Sequence, residues 1–518
     1  MPPISKVDVV LGGSTVPAWQ DACVQALSAL DGVRVNAFAG DHRYEPPRGI
    51  HARLTGKALA AATPSGTRPA AERDPTGADV VVDLTAGERP VAGREVWRLR
   101  FDGGDDADGT FVRAIARDAD ALDVALVRHT AESNTVLRTG RFPVTRWYPS
   151  TLRWTLFSVA AWPAILVAAI NAGATLEEHL PAAAAPAAAA PLRWSERIAF
   201  AAALARRLGG YVVERAFASG EWNVGFADAG AAAIVDGTPL DARWLPKPVL
   251  GTWDADPFVV ERGGTRMLFV EAYDETRGRG VIDALELGDG EAVVRRATII
   301  DTGKHLSYPY AFSFEGVDYI VPESAAAREV ALYRAVEYPW RWERERAIIP
   351  DLDALDTTIF VHDDRWWALC TRASRGSDFA LYAFYADSLH GPWQPHALNP
   401  IVEDVTRARP AGAPFAHDGA LYRPGQNCAR AYGSGLTIAR IDELTPLAYR
   451  ETVVRRIDAH CFGRYADGVH TLGLTSRGIV IDGKRATLDP LRPLRRILAK
   501  RAGSHQDASG STPAPRVR

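Results

Sequence analysis

Short polar motifs recur about every 50 residues in the C-terminal half of this 518-residue chain, and that spacing limits the folds open to it. The motifs are Asp256-Pro257-Phe258, Ser307-Tyr308-Pro309, Asp356-Thr357-Thr358, Arg409-Pro410-Ala411-Gly412 and His470-Thr471. Each stands just before, or at the start of, a strand-rich stretch. Repeats of roughly 40–50 residues with several strands apiece are typical of a β-propeller, whose blade starts face one central pore. The sequence therefore predicts a five-bladed propeller in which these polar motifs converge.

The last repeat is too short for a full blade, since residues 470–482 read HTLGLTSRGIVID. A strand-like segment at 221–226 stands well before the first motif and could supply the missing strand. Joining the two chain ends in one blade leaves the ring without an open edge. We therefore predict a propeller over 220–487, preceded by a connecting helix at 194–219 and followed by a disordered polar tail at 488–518.

The N-terminal part alternates apolar runs with an amphipathic segment. Residues 4–12, 33–39 and 78–84 read as strands, whereas 17–30 read as a helix. This alternation predicts an α/β domain over 1–178 with a Rossmann-like, mainly parallel sheet. Residues 179–193 contain PAAAAPAAAAP, in which regularly placed prolines forbid a continuous helix, so we predict a linker there.

Charge and hydropathy bear on the expected partners and location of the protein. A net charge of −3 gives no reason to expect nucleic acid or an anionic membrane surface as a partner. Residues 154–176 carry no charge, but Pro163 and several polar side chains interrupt them, so we predict a buried helix rather than a membrane span. The first residues, MPPISK, lack the features of a signal peptide, which favours a cytoplasmic location.

The four cysteines, Cys23, Cys370, Cys428 and Cys461, are widely spaced and form no C-x-x-C pair. This distribution argues against a disulfide framework and against a zinc site. We expect neither a transition metal nor a cofactor.

Acidic residues in or beside the motifs indicate a possible chemistry. Glycosidic-bond cleavage usually needs a carboxylic acid to protonate the leaving oxygen and a carboxylate to act as base or nucleophile. We take Asp256, Glu323 and Asp356 as catalytic candidates. The alternative for each is an ion pair or a cap at a strand end.

Six further polar residues near the motifs are candidates for substrate binding. Arg409 could hold an anion with two parallel hydrogen bonds, or else pair with a blade carboxylate. His470 could orient a hydroxyl or shuttle a proton, or else join two blades. The full set is Glu271, His305, Tyr308, Arg409, Gln426 and His470.

A series of short segments carries a resemblance to a known family. In order they are ADPF, HLSYPYAF, VPES, ALYRA, DTTIF, GPWQPH, NPI, ARPAG, LYRPGQNC, YG and HTLGL…VIDG. Residues 245–485 thereby resemble the N-terminal five-bladed propeller of the glucosamine inositolphosphorylceramide transferases and their bacterial relatives. That fold is similar to the five-bladed glycoside hydrolase propellers, so the resemblance implies a carbohydrate-related site. In the plant transferases the glycosyl transfer belongs to a separate domain with no counterpart in this sequence.

The resemblance carries a residue role for Asp256, which matches the aspartate base or nucleophile in blade one of the hydrolases. The acids that follow depart from the hydrolase pattern. Those enzymes usually run Asp, Asp, Glu along the chain, whereas here the order is Asp256, Glu323, Asp356. The roles of the later acids therefore do not transfer directly.

The N-terminal segments ADVVVDLTAG (78–87), VWRLRFDGGD (96–105) and SVAAWP (158–163) resemble a formyltransferase-like domain fused to such propellers. Formyl transfer needs a His/Asn/Asp group to polarise the carbonyl and move protons. Here Arg100 and Asp102, together with Asp83, stand where the family has its histidines and asparagine. The resemblance therefore implies a degenerate domain. Gly12-Gly13 could begin a phosphate loop or an ordinary turn.

Three functional hypotheses follow. The first is an enzyme that hydrolyses or transfers glycosyl groups on a glycan or glycoconjugate through acidic residues in the pore. The second is a non-catalytic glycan-binding module that supports a partner glycosyltransferase. The third, formyl transfer, requires a substitute for the missing histidine. Expected ligands are a glycan, a glycoconjugate or a nucleotide sugar, and no nucleic acid.

Overall fold

The computed structural model describes residues 2–39, 59–69, 77–85, 95–103, 107–176, 179–181, 192–238, 240–246, 249 and 251–490. An N-terminal part with one large sheet precedes a ring of five smaller sheets. The elements of the N-terminal part are, in chain order, β1 (Lys6–Leu11), β2 (Val16–Pro17), α1 (Ala18–Ser28), β3 (Arg34–Ala39), β4 (Ala61–Ala62), β5 (Arg68–Pro69), β6 (Val80–Asp83), β7 (Val96–Phe101), α2 (Ala107–Ala116), β8 (Ala121–His129), β9 (Asn134–Pro143), α3 (Tyr148–Asn171), β10 (His179–Pro181) and α4 (Trp194–Phe217).

The large sheet is mixed, with the strand order β10-β9-β8-β7-β6-β1-β3-β5. The strands from β7 to β5 pair in parallel, as the α/β pattern predicts. The strands from β8 to β10 are antiparallel, so the sheet is less parallel than predicted. A tight turn explains part of this difference, because the Thr130 amide bonds to the Ser133 carbonyl and joins β8 to β9 as a hairpin.

Strand β10 lies within residues 179–193, which the sequence predicts to be a linker. Residues His179–Pro181 pair with β9 and therefore belong to the sheet edge. The prolines at 186 and 191 lie outside the described residues, as does the tail from 491 onward.

Helix α3 is long and apolar enough to cross a membrane by length and composition, but it lies in the N-terminal core. In its most hydrophobic window, 61% of the residues are buried. Leu152, Leu156 and Trp162 are fully enclosed, and the helix packs against α1. The structure thus agrees with the prediction of a buried helix.

The ring is built almost entirely from strands. Its elements are β11 (Ala218–Ala227), α5 (Ala231–Asp236), β12 (Arg243–Trp244), β13 (Thr252–Arg262), β14 (Thr265–Asp274), β15 (Arg279–Leu287), β16 (Val293–Ile300), β17 (Ser307–Phe314), β18 (Val317–Glu323), β19 (Glu329–Glu337), β20 (Arg341–Pro350), β21 (Ala354–His362), β22 (Arg365–Arg372), β23 (Ala380–Ala386), β24 (Gln394–Pro395), β25 (Val402–Glu403), β26 (Phe415–His417), β27 (Ala420–Asn427), β28 (Gly435–Leu444), β29 (Tyr449–Asp458), β30 (Leu472–Thr475) and β31 (Gly478–Leu488). Short 3₁₀ helices occupy Asp289–Glu291, Ala325–Ala327 and Ala459–Tyr465.

These strands form a five-bladed β-propeller. Blade one is β13–β16, blade two β17–β20, blade three β21–β24 with β25 on β23, and blade four β26–β29. Blade five has the order β12-β11-β31-β30, so strands from both ends of the ring meet in it. Residues Ala218–Ala227 pair continuously with Ile479–Leu488, which closes the ring as the sequence predicts.

The blade-start motifs share a local backbone distortion. The pairing register shifts beside Asp256, Tyr308 and Asp356, in the innermost strands of blades one, two and three. All three residues have a left-handed backbone, with φ of 51°, 42° and 51° respectively. Such bulges bend a strand and redirect a side chain, and aspartate tolerates this conformation better than most residues. The repeated motif therefore marks the repeated bulge.

The N-terminal sheet and the propeller share a core. Phe379 of the propeller packs edge-on against Phe142 and Trp154, at centroid distances of 5.4 and 6.1 Å. The buried Glu403 accepts hydrogen bonds from the Arg138 guanidinium, at 3.0 Å, and from the Trp162 indole. Apolar and ionic contacts therefore continue across the boundary between the two parts.

Candidate active site in the propeller pore

Five residues hold equivalent places on the second strand of each blade, next to the blade-start motifs. Glu271 pairs with Ala255, Glu323 with Ser307, and Thr371 with Leu355, each beside a bulge residue. In blade four the Gln426 amide bonds to the Arg409 carbonyl, and in blade five the Asp482 amide bonds to the Thr471 carbonyl. The second strands thus place a ring of polar side chains beside the blade-start motifs. These side chains are Glu271, Glu323, Thr371, Gln426 and Asp482.

Asp256 sits where blades one, two and five meet. Its carboxylate accepts the Thr471 hydroxyl at 2.7 Å and the Tyr308 amide at 3.1 Å. Burial raises the pKa of Asp256 to about 6, although the nearby His470 ring opposes that rise. A carboxyl group with such a pKa can give and take a proton near neutral pH.

His470 and Asp482 form a buried pair beside Asp256. The Nδ1 atom of His470 contacts an Asp482 oxygen, and its Nε2 atom lies 3.7 Å from the Asp256 carboxylate. Burial alone would lower the pKa of His470, but the carboxylates of Asp482 and Asp256 outweigh burial and raise it. The ring stacks on Trp222 at a centroid distance of 4.0 Å.

Asp482 also binds the backbone of two blades. One of its oxygens accepts the amides of His470 and Thr471 at 2.9 and 3.0 Å, and the other accepts the Asp256 amide at 3.1 Å. Strand β31 in this way holds the start of blade one against blade five.

On the opposite arc, Asp356 is held by two neighbours. The Arg409 guanidinium donates to both of its oxygens, at 2.7 and 3.3 Å, and the Gln426 amide donates at 2.7 Å. Gln426 also donates to the Pro410 carbonyl at 2.9 Å. The arginine predicted to bind an anion therefore binds a blade carboxylate, the alternative that the sequence left open.

Glu271 and Glu323 differ from Asp356, because no comparably close cation holds them. Burial, and then the negative charges of Asp256 and Glu323, raise the pKa of Glu271 well above its usual range. Burial, and then the Asp356 charge, raise the pKa of Glu323, although Arg409 opposes the rise from 3.8 Å. Burial thus favours the protonated form of both side chains.

Gly280 makes room for the Glu271 side chain. A Cβ atom at that position would lie 2.5 Å from a Glu271 carboxyl oxygen and 2.5 Å from the Leu306 carbonyl. A larger residue would therefore displace the acid.

His305 and Tyr308, both predicted to bind substrate, take different places. The half-exposed His305 accepts the Gly280 amide on Nδ1 at 2.9 Å, so its proton lies on Nε2, 3.7 Å from Glu271. Burial lowers the pKa of His305. Tyr308 is fully buried, and its hydroxyl contacts the Thr358 hydroxyl at 2.8 Å and accepts the Gly412 amide at 2.7 Å. It thus connects blades two, three and four from inside the ring.

Aromatic rings lie near the pore acids. Tyr432 packs edge-on against His470 and lies under the Arg409 guanidinium, 5.0 Å from ring centroid to Cζ. In blade one Trp253 stacks on Tyr273 at 4.1 Å, two residues beyond Glu271. Such faces stack well on sugar rings as well as on each other.

Sequence reasoning missed Asp482, Thr371, Trp222 and Tyr432. A signal for the first two was present, because the inner-ring residues of the second strands recur at intervals of about 50 residues. No comparable repeat marks Trp222 or Tyr432, which reach the pore from the closing strand and from a loop.

Asp256, His470 and Asp482 also have the residue types of a cation site. Their ligand atoms lie within 4.8 Å of one another. The Asp482 carboxylate already accepts three backbone amides, so a cation would have to share those oxygens.

In the N-terminal part, Asp83 and Asp102 stand where the formyltransferase-like family has its histidines and asparagine, and both have structural partners. Asp83 pairs with Arg98 at 2.7 Å and accepts the Thr85 hydroxyl at 2.6 Å. Asp102, with φ of 45°, accepts the Asp123 amide at 2.9 Å. Arg100 lines a cavity of about 570 Å³ between the sheet and the propeller.

Part of the propeller matches a known family profile. Residues 247–471 match the family profile described as "Glucosamine inositolphosphorylceramide transferase 1, N-terminal". The transferase of that name from Oryza sativa subsp. japonica is 34% identical over 206 residues, which are 39% of this chain and 28% of the relative. The Arabidopsis thaliana transferase is 32% identical over 244 residues, which are 45% of this chain and 31% of the relative. The chain thus spans less than a third of these relatives.

Solved structures similar to this chain are glycoside hydrolases. A family 117 glycoside hydrolase from Zobellia galactanivorans is 12% identical with a TM-score of 0.32, covering 52% of this chain and 91% of that chain. A β-xylosidase/α-arabinofuranosidase from a compost microbial metagenome is 13% identical with a TM-score of 0.33, covering 46% of this chain and 92% of that chain.

Proposed function

We propose that the propeller pore binds a glycan or glycoconjugate and breaks or transfers a glycosidic bond. The observation that carries the proposal is the arc of Asp256, Glu271 and Glu323, three buried acids with raised pKa. Among the described residues only Glu323 of the three has an arginine within 4 Å, Arg409 at 3.8 Å. An ion pair requires an ionised acid, whereas glycosidic-bond cleavage requires a protonated one. The names of the matched relatives support a carbohydrate-related ligand.

The chemistry divides between the two kinds of acid. Glu323 and Glu271, whose pKa values burial raises, are the candidates to protonate the leaving oxygen. Asp256, whose pKa is about 6, is largely ionised near neutral pH and is the candidate base or nucleophile. His470 stabilises that ionised form.

Asp356 takes a different role from the catalytic one predicted for it. Two side chains hold its oxygens, so it is less available to a substrate than Asp256 is. We assign it as a positioning residue that fixes Arg409 and, through its charge, keeps Glu323 protonated.

The proposal is tested by screening the purified full chain against labelled oligosaccharides and nucleotide sugars. Asp256→Asn keeps the shape and the left-handed backbone but removes the charge, so turnover should fall by at least about a hundredfold. Glu323→Gln should do the same. Asp387→Asn, at an exposed site in blade three, is the matched control and should leave turnover unchanged. Equal turnover in all four proteins would refute the proposal.

A non-catalytic glycan-binding module is the second candidate. The engaged arc of Asp356, Arg409 and Gln426, with Tyr432 stacked beside it, favours a rigid binding surface. In that case the wild type and Asp256→Asn would bind the same oligosaccharide, and neither would turn it over.

Formyl transfer is the least supported candidate, since Asp83 pairs with Arg98. We expect no formyl transfer from a formyl-folate donor to an amino sugar. Detection of formyl transfer would show that the N-terminal part is a catalytic domain.

A further inference from the structure

Helix α4 leaves an apolar face uncovered. Of the twelve large apolar side chains exposed among the described residues, six lie on this helix. Trp194 is 80% exposed, Ile198 65% and Val212 63%. Exposed apolar residues scattered one by one need no explanation, but a cluster of this kind usually marks an interaction surface.

Three of the six exposed residues lie with Ala205 in one stripe along the helix, whereas Tyr211, Val213 and Phe217 lie off it. At about 100° per residue, Trp194, Ile198, Ala205 and Val212 point to the same side. The opposite side is the packed one: Ala203 is buried, and Phe200 packs edge-on against Tyr148 at 5.3 Å. The helix is thus attached to the N-terminal core by one face and presents the other to its surroundings.

Positive charge accompanies the stripe. Arg197 and Arg215, both exposed, are about five turns apart and lie along the same edge of it. In the described part of the chain neither makes an ion pair, and Arg215 donates only to the Tyr211 hydroxyl, at 3.4 Å. Arg146 extends the positive edge next to the exposed Trp147, although Glu214 pairs with it at 2.6 Å.

We infer that α4 lies on an anionic lipid surface, with Trp194, Ile198 and Val212 inserted at the headgroup level. A basic, amphipathic helix with tryptophan on its apolar face is the pattern of helices that rest in a membrane interface. The unpaired Arg197 and Arg215 would contact lipid phosphates at the stripe edge. This site is independent of the pore, and it differs from the expectation drawn from the net charge, because a local positive patch can act within a chain of net charge −3.

The test is sedimentation of the full chain with vesicles of phosphatidylcholine, with and without phosphatidylglycerol. We expect binding to the anionic vesicles that weakens with salt. The variant Trp194→Ser/Ile198→Ser/Val212→Ser should lower the partition coefficient at least about tenfold. Arg197→Gln/Arg215→Gln should reduce binding to anionic vesicles and leave the weaker binding to neutral vesicles unchanged.

Val294→Ser/Val361→Ser, which removes exposed valines from blades one and three, is the matched control and should bind like the wild type. All the changed residues are exposed, so each variant should keep the wild-type unfolding midpoint. Absence of vesicle binding by the wild type, or equal binding by the wild type and the triple-serine variant, would overturn the inference. A dimer in solution that the triple-serine variant dissociates, without vesicle binding, would show that a second copy covers the stripe instead.

Discussion

The two arcs of the propeller pore use equivalent positions in opposite ways. In blades one and two, Glu271 and Glu323 are buried acids that lie 3.7 Å from His305 and 3.8 Å from Arg409, and their pKa values are raised. In blades four and five, Gln426 and Asp482 occupy the same strand position and are engaged in several hydrogen bonds each. One position in the repeat thus carries acids with raised pKa on one side of the ring and side chains that hold the blades together on the other.

This difference shows how a propeller can hold unneutralised acids at its centre. Placing like charges together in a buried site costs free energy, which the protein can lower by keeping acids protonated. The engaged arc fixes the blades around that site through buried hydrogen bonds. Substitutions in the two arcs should therefore change the stability of the protein in different ways.

The largest expected effect comes from Asp482 in blade five, whose carboxylate accepts three backbone amides. Asp482→Ala would leave the amides of Asp256, His470 and Thr471 without an acceptor inside the ring. We expect the free energy of unfolding to fall by at least about 3 kcal/mol, since several buried donors lose their partner at once. Chemical denaturation measures this change, with the exposed Asp387→Ala as control. A loss below about 1 kcal/mol would contradict the assignment of a structural role to this arc.

The unneutralised arc should show the opposite response. Glu271 and Glu323 have raised pKa values in the folded state, so the native protein holds more protons than the unfolded chain above the ordinary carboxyl range. Stability should therefore be greatest below that range and fall as pH rises.

The variant Glu271→Gln/Glu323→Gln removes this titration. It should be as stable as the wild type near pH 4 and more stable by about 1 kcal/mol or more near pH 8. Denaturation midpoints across that pH range measure the difference. A variant that becomes less stable than the wild type as pH rises would show that both acids are ionised and paired in the native pore.

The propeller can be predicted from the sequence because the structural features of its blades recur at regular intervals along the chain. Each blade repeats a run of short strands, and in blades one, two and three Asp256, Tyr308 and Asp356 mark a bulge with a left-handed residue. Closure by 221–226 follows from counting strands. The partners within the pore are harder to predict: nothing local tells that Arg409 turns to Asp356 rather than to a ligand, because that choice depends on the distance between blades three and four.

The N-terminal part shows where sequence reasoning ends. Its parallel half follows from the alternation of strands and helices, but the antiparallel half depends on how β7 to β10 fold back. The interface with the propeller was not predicted, since a contact such as that of Phe142 with Phe379 joins residues far apart in sequence. Long-range pairing of this kind leaves no periodic trace.

The smallest expected effect concerns Thr371, the blade-three residue between the two arcs. Its side chain is fully buried, and among the described residues its hydroxyl has no hydrogen-bond partner. Thr371→Val keeps the shape and removes a buried hydroxyl whose desolvation is uncompensated. We expect unfolding free energy to stay constant or rise by up to about 1 kcal/mol.

Thr437 of blade four provides the matched comparison. It is equally buried, but its hydroxyl donates to the Thr406 carbonyl at 2.7 Å. Thr437→Val should therefore lower the unfolding free energy by about 1 kcal/mol or more, because it leaves a buried carbonyl without that donor. Urea denaturation of the two variants side by side measures the difference. Equal losses in both would mean that the Thr371 hydroxyl also contributes a hydrogen bond.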